Sequence, residues 1–203
     1  MNVSSNHWVL ASDNPGKLEE FRTLLTPIGL KISPQGVLNV DPVEETGSTF
    51  LENALLKARN ASLQTGQPTI ADDSGLVVDA LCGQPGIRSS RFAGSRASDA
   101  SNVKKLLHLL KDIPPAERKA HFYCVVVAMK EAGDPAPLIA TGSWYGSISM
   151  EPRGDSGFGY DPVFLDLNLN STAAQMAPEA KNRLSHRGQA LVKLQQIMMS
   201  NSD

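Results

Sequence analysis

Cysteine, long apolar runs and long runs of one charge are all scarce in this chain of 203 residues, and each scarcity removes a class of protein. The two cysteines, Cys82 and Cys124, stand far apart, with no second thiol near either. That pattern fits neither a cysteine-rich metal site nor a small scaffold stapled by disulfides, and both thiols are expected to be reduced. A formal net charge of −2, with no long basic stretch, excludes a strong sequence-independent grip on duplex nucleic acid, which requires many phosphates to be neutralised. A small anionic ligand remains compatible. No window approaches the length and apolarity of a membrane span, and Met1 to His7 lacks the basic and apolar segments of a secretory leader, so a cytoplasmic protein is expected. Internal repeats, low-complexity segments and linkers are absent too. What is present, 41% hydrophobic and 20% charged residues, is ordinary for a soluble globular protein and suits one domain over 1–203, with room for two lobes.

The periodicities alternate between strand and helix. A strand over 7–12 leads into a helix from Pro15 to Ile28, with Leu18, Phe21, Leu24, Leu25 and Ile28 as its apolar stripe. Thr49 and Glu52 have the spacing of a capping box, which starts a second helix running towards Leu63. A short buried strand from Pro68 to Ala71 is expected to deliver Asp72 and Asp73 at its end, with a separate apolar segment at 76–81. A third helix covers 98–111. Segments 120–129 and 138–150 read as a β-hairpin turning at Gly133-Asp134-Pro135, and a last helix opens at Ser185. The fold class expected is α/β, an elongated mixed sheet flanked by helices.

Four places offer chemistry. The loop Ser12-Asp13-Asn14-Pro15-Gly16-Lys17 follows a strand and opens a helix, so backbone N–H groups, the helix dipole and Lys17 could cradle a triphosphate. It equally suits an ordinary strand–turn–helix capped by Asn14, with Lys17 in solvent. Asp72 and Asp73, followed by Ser74-Gly75, could present a carboxylate to a hard divalent cation, with Glu44 or Glu45 completing its shell from another loop. Adjacent strand residues face opposite ways, so one aspartate would contact metal and the other support it. Next, Gly157-Phe158-Gly159-Tyr160-Asp161 lets backbone approach a flat ligand on which an aromatic ring can stack, although a tight glycine turn with Phe158 packed inward satisfies the same residues. Ser185-His186-Arg187-Gly188 has few apolar neighbours and puts two cationic side chains at a helix start, where the dipole prefers acids, which hints at a ligand. Lys181 could contact phosphate or base. Histidines 7, 108 and 121 have no neighbours suggesting chemistry.

Six blocks, ASDNPGK at 11–17, EETGSTFLENALLKA at 44–58, ADDSGLVVDAL at 71–81, PGIRSSRFAG at 85–94, GFGYDPVF at 157–164 and SHRGQAL at 185–191, stand in the order of one family. The chain closely resembles the inosine triphosphate pyrophosphatases of the bacterial type, also called dITP/XTP pyrophosphatases, along essentially its whole length. The resemblance implies a single bilobed domain around a nucleotide-binding cleft, usually a homodimer, acting in the cytoplasm on purine nucleoside triphosphates without direct nucleic-acid or membrane contact. It implies triphosphate contacts along Ser12, Asp13, Asn14, Pro15, Gly16 and Lys17, and Mg²⁺ held by Asp73 with Glu45, or Glu44, beside it. Asp73 would be the catalytic base, with Ser74 next to the substrate, and the nucleobase would meet Phe158, Gly159, Tyr160, Asp161, Lys181, His186 and Arg187. Arg88 stands where many relatives carry an aromatic residue, and Asp13 replaces a smaller one.

The activity implied is Mg²⁺-dependent hydrolysis of ITP, dITP and XTP to the monophosphate and pyrophosphate, which clears deaminated purines from the nucleotide pool. Two rivals are a house-cleaning pyrophosphatase for modified pyrimidine nucleotides and a sensor that binds nucleotide without hydrolysis. A sensor has little use for so many carboxylates beside a triphosphate.

Overall fold

The computed structural model describes residues 6–200. Its seven strands are β1 (His7–Leu10), β2 (Lys31–Pro34), β3 (Thr69–Val78), β4 (Lys119–Met129), β5 (Leu138–Ile148), β6 (Phe164–Asp166) and β7 (Ser171–Thr172). They form one sheet in the order β2-β1-β3-β4-β5-β6-β7. β1 runs parallel to β2 and β3, while β6 pairs antiparallel with β5 and β7, so the sheet is mixed as expected. The helices are α1 (Pro15–Leu25), α2 (Phe50–Thr65), α3 (Asp99–Leu109), α4 (Pro178–Leu184) and α5 (His186–Ser200). Among the described residues no helix is long and apolar enough to cross a membrane.

Local chemistry explains where the helices begin. Asn14 caps α1 by accepting the Lys17 N–H at 3.0 Å, and Pro15 occupies the first turn, where its missing N–H is not needed. At α2 the capping box is complete: Thr49 Oγ1 accepts from Glu52 N at 3.2 Å while Glu52 Oε2 accepts from Thr49 N at 3.0 Å. The helix stops at Gly66, whose φ of 63° is open to glycine. Ser98 caps α3. In the connection from β4 to β5, Asp134 accepts from Lys130 N and Ala136 N, closing the turn expected at 133–135.

The chain divides into two compact units: the described residues of Met1–Asp73, Cys124–Gly142 and Arg187–Asp203, and those of Ser74–Tyr123 and Ser143–His186. The first has a core of Leu10, Phe21, Leu25, Ile70, Val126 and Leu194. Cys124 lies in this core, where burial pushes its thiol far up and keeps it inert. The second unit packs Leu76, Leu106, Phe122, Trp144, Tyr160 and Phe164. It also buries Arg118, whose guanidinium donates to the carbonyls of Ile113, Ser149 and Leu110 at 3.0, 3.0 and 2.6 Å. Leu110 ends α3, so the cation sits at the negative end of that helix.

Several boundaries differ from expectation. β1 stops at Leu10, and a 3-10 turn at Thr26–Ile28 follows α1. Asp72 and Asp73 do not end a strand: β3 continues through them to Val78, because partners for both carboxylates let the backbone stay in the ladder. β2, β6, β7 and α4 were not legible as separate elements, being two to seven residues long.

Candidate functional site

β3 turns adjacent aspartates to different partners, as alternation along a strand requires. Asp72, whose side chain is fully buried, accepts from Lys17 Nζ at 2.9 Å and from Arg187 Nε at 3.1 Å. Arg187 in turn reaches Glu20 on α1 with Nη1 at 2.5 Å. Burial alone would raise the Asp72 carboxyl, but Lys17 and Arg187, with Lys57 behind them, outweigh it and hold the group well below the ordinary aspartate range. Arg187 is likewise kept charged despite burial by Asp72 and Glu20. Lys17 thus projects from the first turn of α1 with its ammonium steered by a permanent anion. Around it, Ser12 Oγ accepts from Asn14 N at 3.2 Å, and Asp13 accepts from Gly36 N and Gln35 Nε2, which ties the loop to the segment after β2. Pro15 is exposed and Gly16 half-buried at the helix start.

Asp73 faces a different group. Its Oδ1 accepts from Lys57 Nζ at 3.1 Å and its Oδ2 from Asn53 Nδ2 at 3.2 Å, while Glu45 takes the same Lys57 ammonium at 2.7 Å. Burial pushes the Asp73 carboxyl above the ordinary range; Lys57 and Asn53 oppose the shift and Glu45 adds to it. Lys57 is raised overall, its carboxylate neighbours outweighing its burial. Two acids therefore converge on one cation. Glu44 is exposed, so Glu45 is the acid that joins Asp73.

Lys57, Asn53 and Glu20 were missed in the sequence. Asn53 and Lys57 sit four apart on α2, one turn above each other. The available signal was Asn53, a polar residue beside the small buried stripe Ala54, Ala58 and Ala61.

In the second unit, Asp161 gathers the glycine loop. Its Oδ2 accepts from Phe158 N at 2.8 Å and from Lys181 Nζ at 2.6 Å, and the Lys181 ammonium lies 4.9 Å from the centre of the Phe158 ring. Gly157, at φ 82°, has no room for a side chain, since a Cβ there would meet the Asp161 carboxylate. Ser74, half-buried, opens this unit's share of β3.

Three readings of this region need correction. Tyr160 is not a stacking surface: its ring is in the core and its hydroxyl donates to Ser89 O at 2.9 Å, leaving Phe158 as the half-buried aromatic. Ser185, His186 and Arg187 are all buried, contrary to their polar sequence context. The His186 ring stacks on Phe122 at 4.7 Å. The basic start of α5 does not lack local compensation either, because Glu20 and Asp72 neutralise Arg187 within the first unit.

These residues stand in a recognisable lineage. Residues 8–197 match the Ham1 family profile. A dITP/XTP pyrophosphatase of Xanthomonas oryzae pv. oryzae is 57% identical over 189 residues, 93% of this chain and 95% of that protein. One from Xylella fastidiosa is 53% identical, covering 94% and 96% of the two chains. Among solved structures, a HAM1 protein from Coxiella burnetii superposes with a TM-score of 0.89 at 48% identity, covering 96% of this chain and 98% of that one. The Staphylococcus aureus Ham1 protein gives 0.84 at 37% identity, covering 97% and 100%. With the match running through both units and through every motif block, this chain belongs to the Ham1 family.

Proposed function

We propose that this protein hydrolyses dITP, ITP and XTP to the nucleoside monophosphate and pyrophosphate, clearing deaminated purines from the nucleotide pool. The observation that carries the reading is the convergence of Asp73 and Glu45 on one half-buried cation, next to an ionised Asp72 that steers Lys17.

The donor set fits Mg²⁺. Hard carboxylate oxygens suit it, and the ion characteristically uses one or two carboxylates, with water and substrate phosphates filling the rest. Glu45 and Asp73 would hold the ion, which would neutralise triphosphate charge when bound.

Lys17 takes the triphosphate with the help of the α1 dipole, and Ser12 and Asn14 shape that loop by holding the N–H groups of Asn14 and Lys17. Asp73 accepts the proton of a water attacking the α-phosphorus. The new bond joins that oxygen to Pα, the Pα–O bond to the β-phosphate breaks, and pyrophosphate leaves. Ser74 stands beside the reacting groups.

The base falls to Phe158, Gly159, Asp161, Lys181 and His186. Phe158 stacks, Lys181 and His186 offer donors to O6, and Asp161 offers an acceptor to the N1–H of hypoxanthine or xanthine. Adenine, with an amino group at C6 and no N1–H, would leave these groups mispaired. Arg187 acts by holding Asp72 and Glu20. The reading extends to one bilobed domain working as a homodimer in the cytoplasm, with no nucleic-acid or membrane partner; sedimentation tests the dimer.

Pyrophosphate release measured with dITP, XTP, ATP and a modified pyrimidine triphosphate, with and without Mg²⁺, tests the proposal. Release from dITP and XTP that needs Mg²⁺ is expected. Preference for the pyrimidine nucleotide, or binding without release, would overturn it.

A further inference from the structure

Besides the Tyr160 ring in the core, the glycine loop that carries Phe158 is held at two consecutive amides, and only one of these two ties is local. Asp161 holds the Phe158 N–H from within the loop. The next amide, Gly159 N, donates at 2.7 Å to Asp99 Oδ2, sixty residues away in the first turn of α3. Two consecutive backbone N–H groups are thus clamped by two carboxylates from different elements. Packing anchors the loop at Tyr160, whose ring is in the core, but not on the side that faces α3. An open groove of about 520 Å³, walled by Val103, Leu107, Pro152 and Pro162, lies between α3 and the loop, and residues 151–157 are exposed. Gly157 and Gly159 both have positive φ, 82° and 62°, so the segment is of the kind that needs external ties to hold one conformation. Capping does not explain Asp99 either, because Ser98 already caps α3 by accepting from Ser101 N.

We propose that Asp99 is a positioning residue for base recognition: by holding the Gly159 amide it fixes the loop so that Phe158 stays beneath Lys181, ready for a purine ring. This rests on the reading that the Phe158 loop receives the base. The energetic logic is that of preorganisation, in which order built into the free protein is not taken from binding free energy. Losing the tie therefore raises KM for the nucleotide and leaves the chemistry at the α-phosphorus alone.

The test compares Asp99→Ala, Asp99→Asn, Ser98→Ala and Phe158→Ala in steady-state turnover of dITP, with inorganic tripolyphosphate as a competitive inhibitor that has no base. Asp99→Ala is expected to raise KM for dITP about tenfold or more, the effect of losing one charge-assisted hydrogen bond. Its kcat should stay within about twofold, and its Ki for tripolyphosphate should not move. Asp99→Asn keeps an acceptor oxygen and should recover most of the loss. Ser98→Ala removes the helix cap without touching Gly159, so it should lower Tm and spare KM. A KM within twofold of wild type for Asp99→Ala, with Phe158→Ala impaired, would overturn the inference while leaving the base loop standing. Asp99→Asn as poor as Asp99→Ala, or equal losses for dITP and tripolyphosphate, would overturn it too. If Phe158→Ala itself left KM unchanged, the reading of the loop and this inference would fall together.

Discussion

Replacing Arg187 by Met separates two accounts of the same residue. The side chain is 3% exposed and bonded to Asp72 and Glu20, so its removal strands an anion that has no solvent to turn to. Removing one partner of a buried pair costs about 3–5 kcal/mol. Asp72 keeps Lys17 at 2.9 Å, which places the expected loss near the lower end, at about 3 kcal/mol. In a protein of this size each kcal/mol shifts Tm by roughly 2–4 °C, so a fall of about 6–12 °C should appear in thermal melts, with a matching drop in the urea midpoint. Acid sharpens the test. Asp72 has a depressed folded-state pKa, so its stabilisation is present above the unfolded value of about 3.9 and is lost as pH falls towards the folded value. Wild type should lose stability more steeply than Arg187→Met between about pH 4 and pH 2, where the difference in proton uptake is greatest. Because Arg187 is engaged with carboxylates, the ratio of kcat/KM for dITP to that for dATP should stay within about twofold in folded Arg187→Met. A variant that melts within a degree of wild type yet loses discrimination by about a decade would refute this account and make Arg187 a reader of the base.

Other residues give further checks. Lys57→Met leaves Asp73 and Glu45 facing each other without their shared cation, and kcat for dITP should fall by about tenfold or more; turnover within twofold of wild type would reduce Lys57 to an ordinary ion pair. Gly157→Ala puts a Cβ against the Asp161 carboxylate at a φ of 82°, so KM for dITP should rise with little change in the Ki of tripolyphosphate, a pattern that kinetics with both molecules would reveal or reject. Tyr160→Phe removes the bond to Ser89 O and should cost about 1–2 kcal/mol in urea unfolding while sparing selectivity; a changed dITP to dATP ratio would restore Tyr160 to the base site.

Local signals carried much of the fold. Asn14 before Pro15, the Thr49–Glu52 box, Ser98 and the Asp134 turn each act within a few residues, so their reading depended on nothing distant. The course of β3 could not be read that way. Two aspartates in a row look like the end of a strand unless Lys17, Lys57 and Arg187 are known to be waiting for them, and Arg187 lies 115 residues from Asp72. The same distance hid the compensation at the start of α5. Tyr160 misled for a related reason: flanking glycines suggest exposure, whereas the ring turns into the core to reach a carbonyl 71 residues away. The motif blocks contain Glu45, Asn53, Lys57 and Asp73, but the partnership of Asn53 and Lys57 with Asp73 emerges only once the fold brings α2 to β3.

Arg118 bears on how the two ends of a nucleotide would respond to ionic strength. Its buried guanidinium is balanced by carbonyl dipoles at the end of α3 instead of by an opposite charge, and buried contacts of this sort are screened little by dissolved ions. The helix that presents Asp99 is therefore anchored at its far end by a contact that added salt hardly reaches. Lys17, part-exposed at 18%, has no such shelter, and the attraction proposed between it and a triphosphate would weaken as counterions crowd in. A rising salt concentration would then loosen the hold on the phosphates while leaving the discrimination between bases intact.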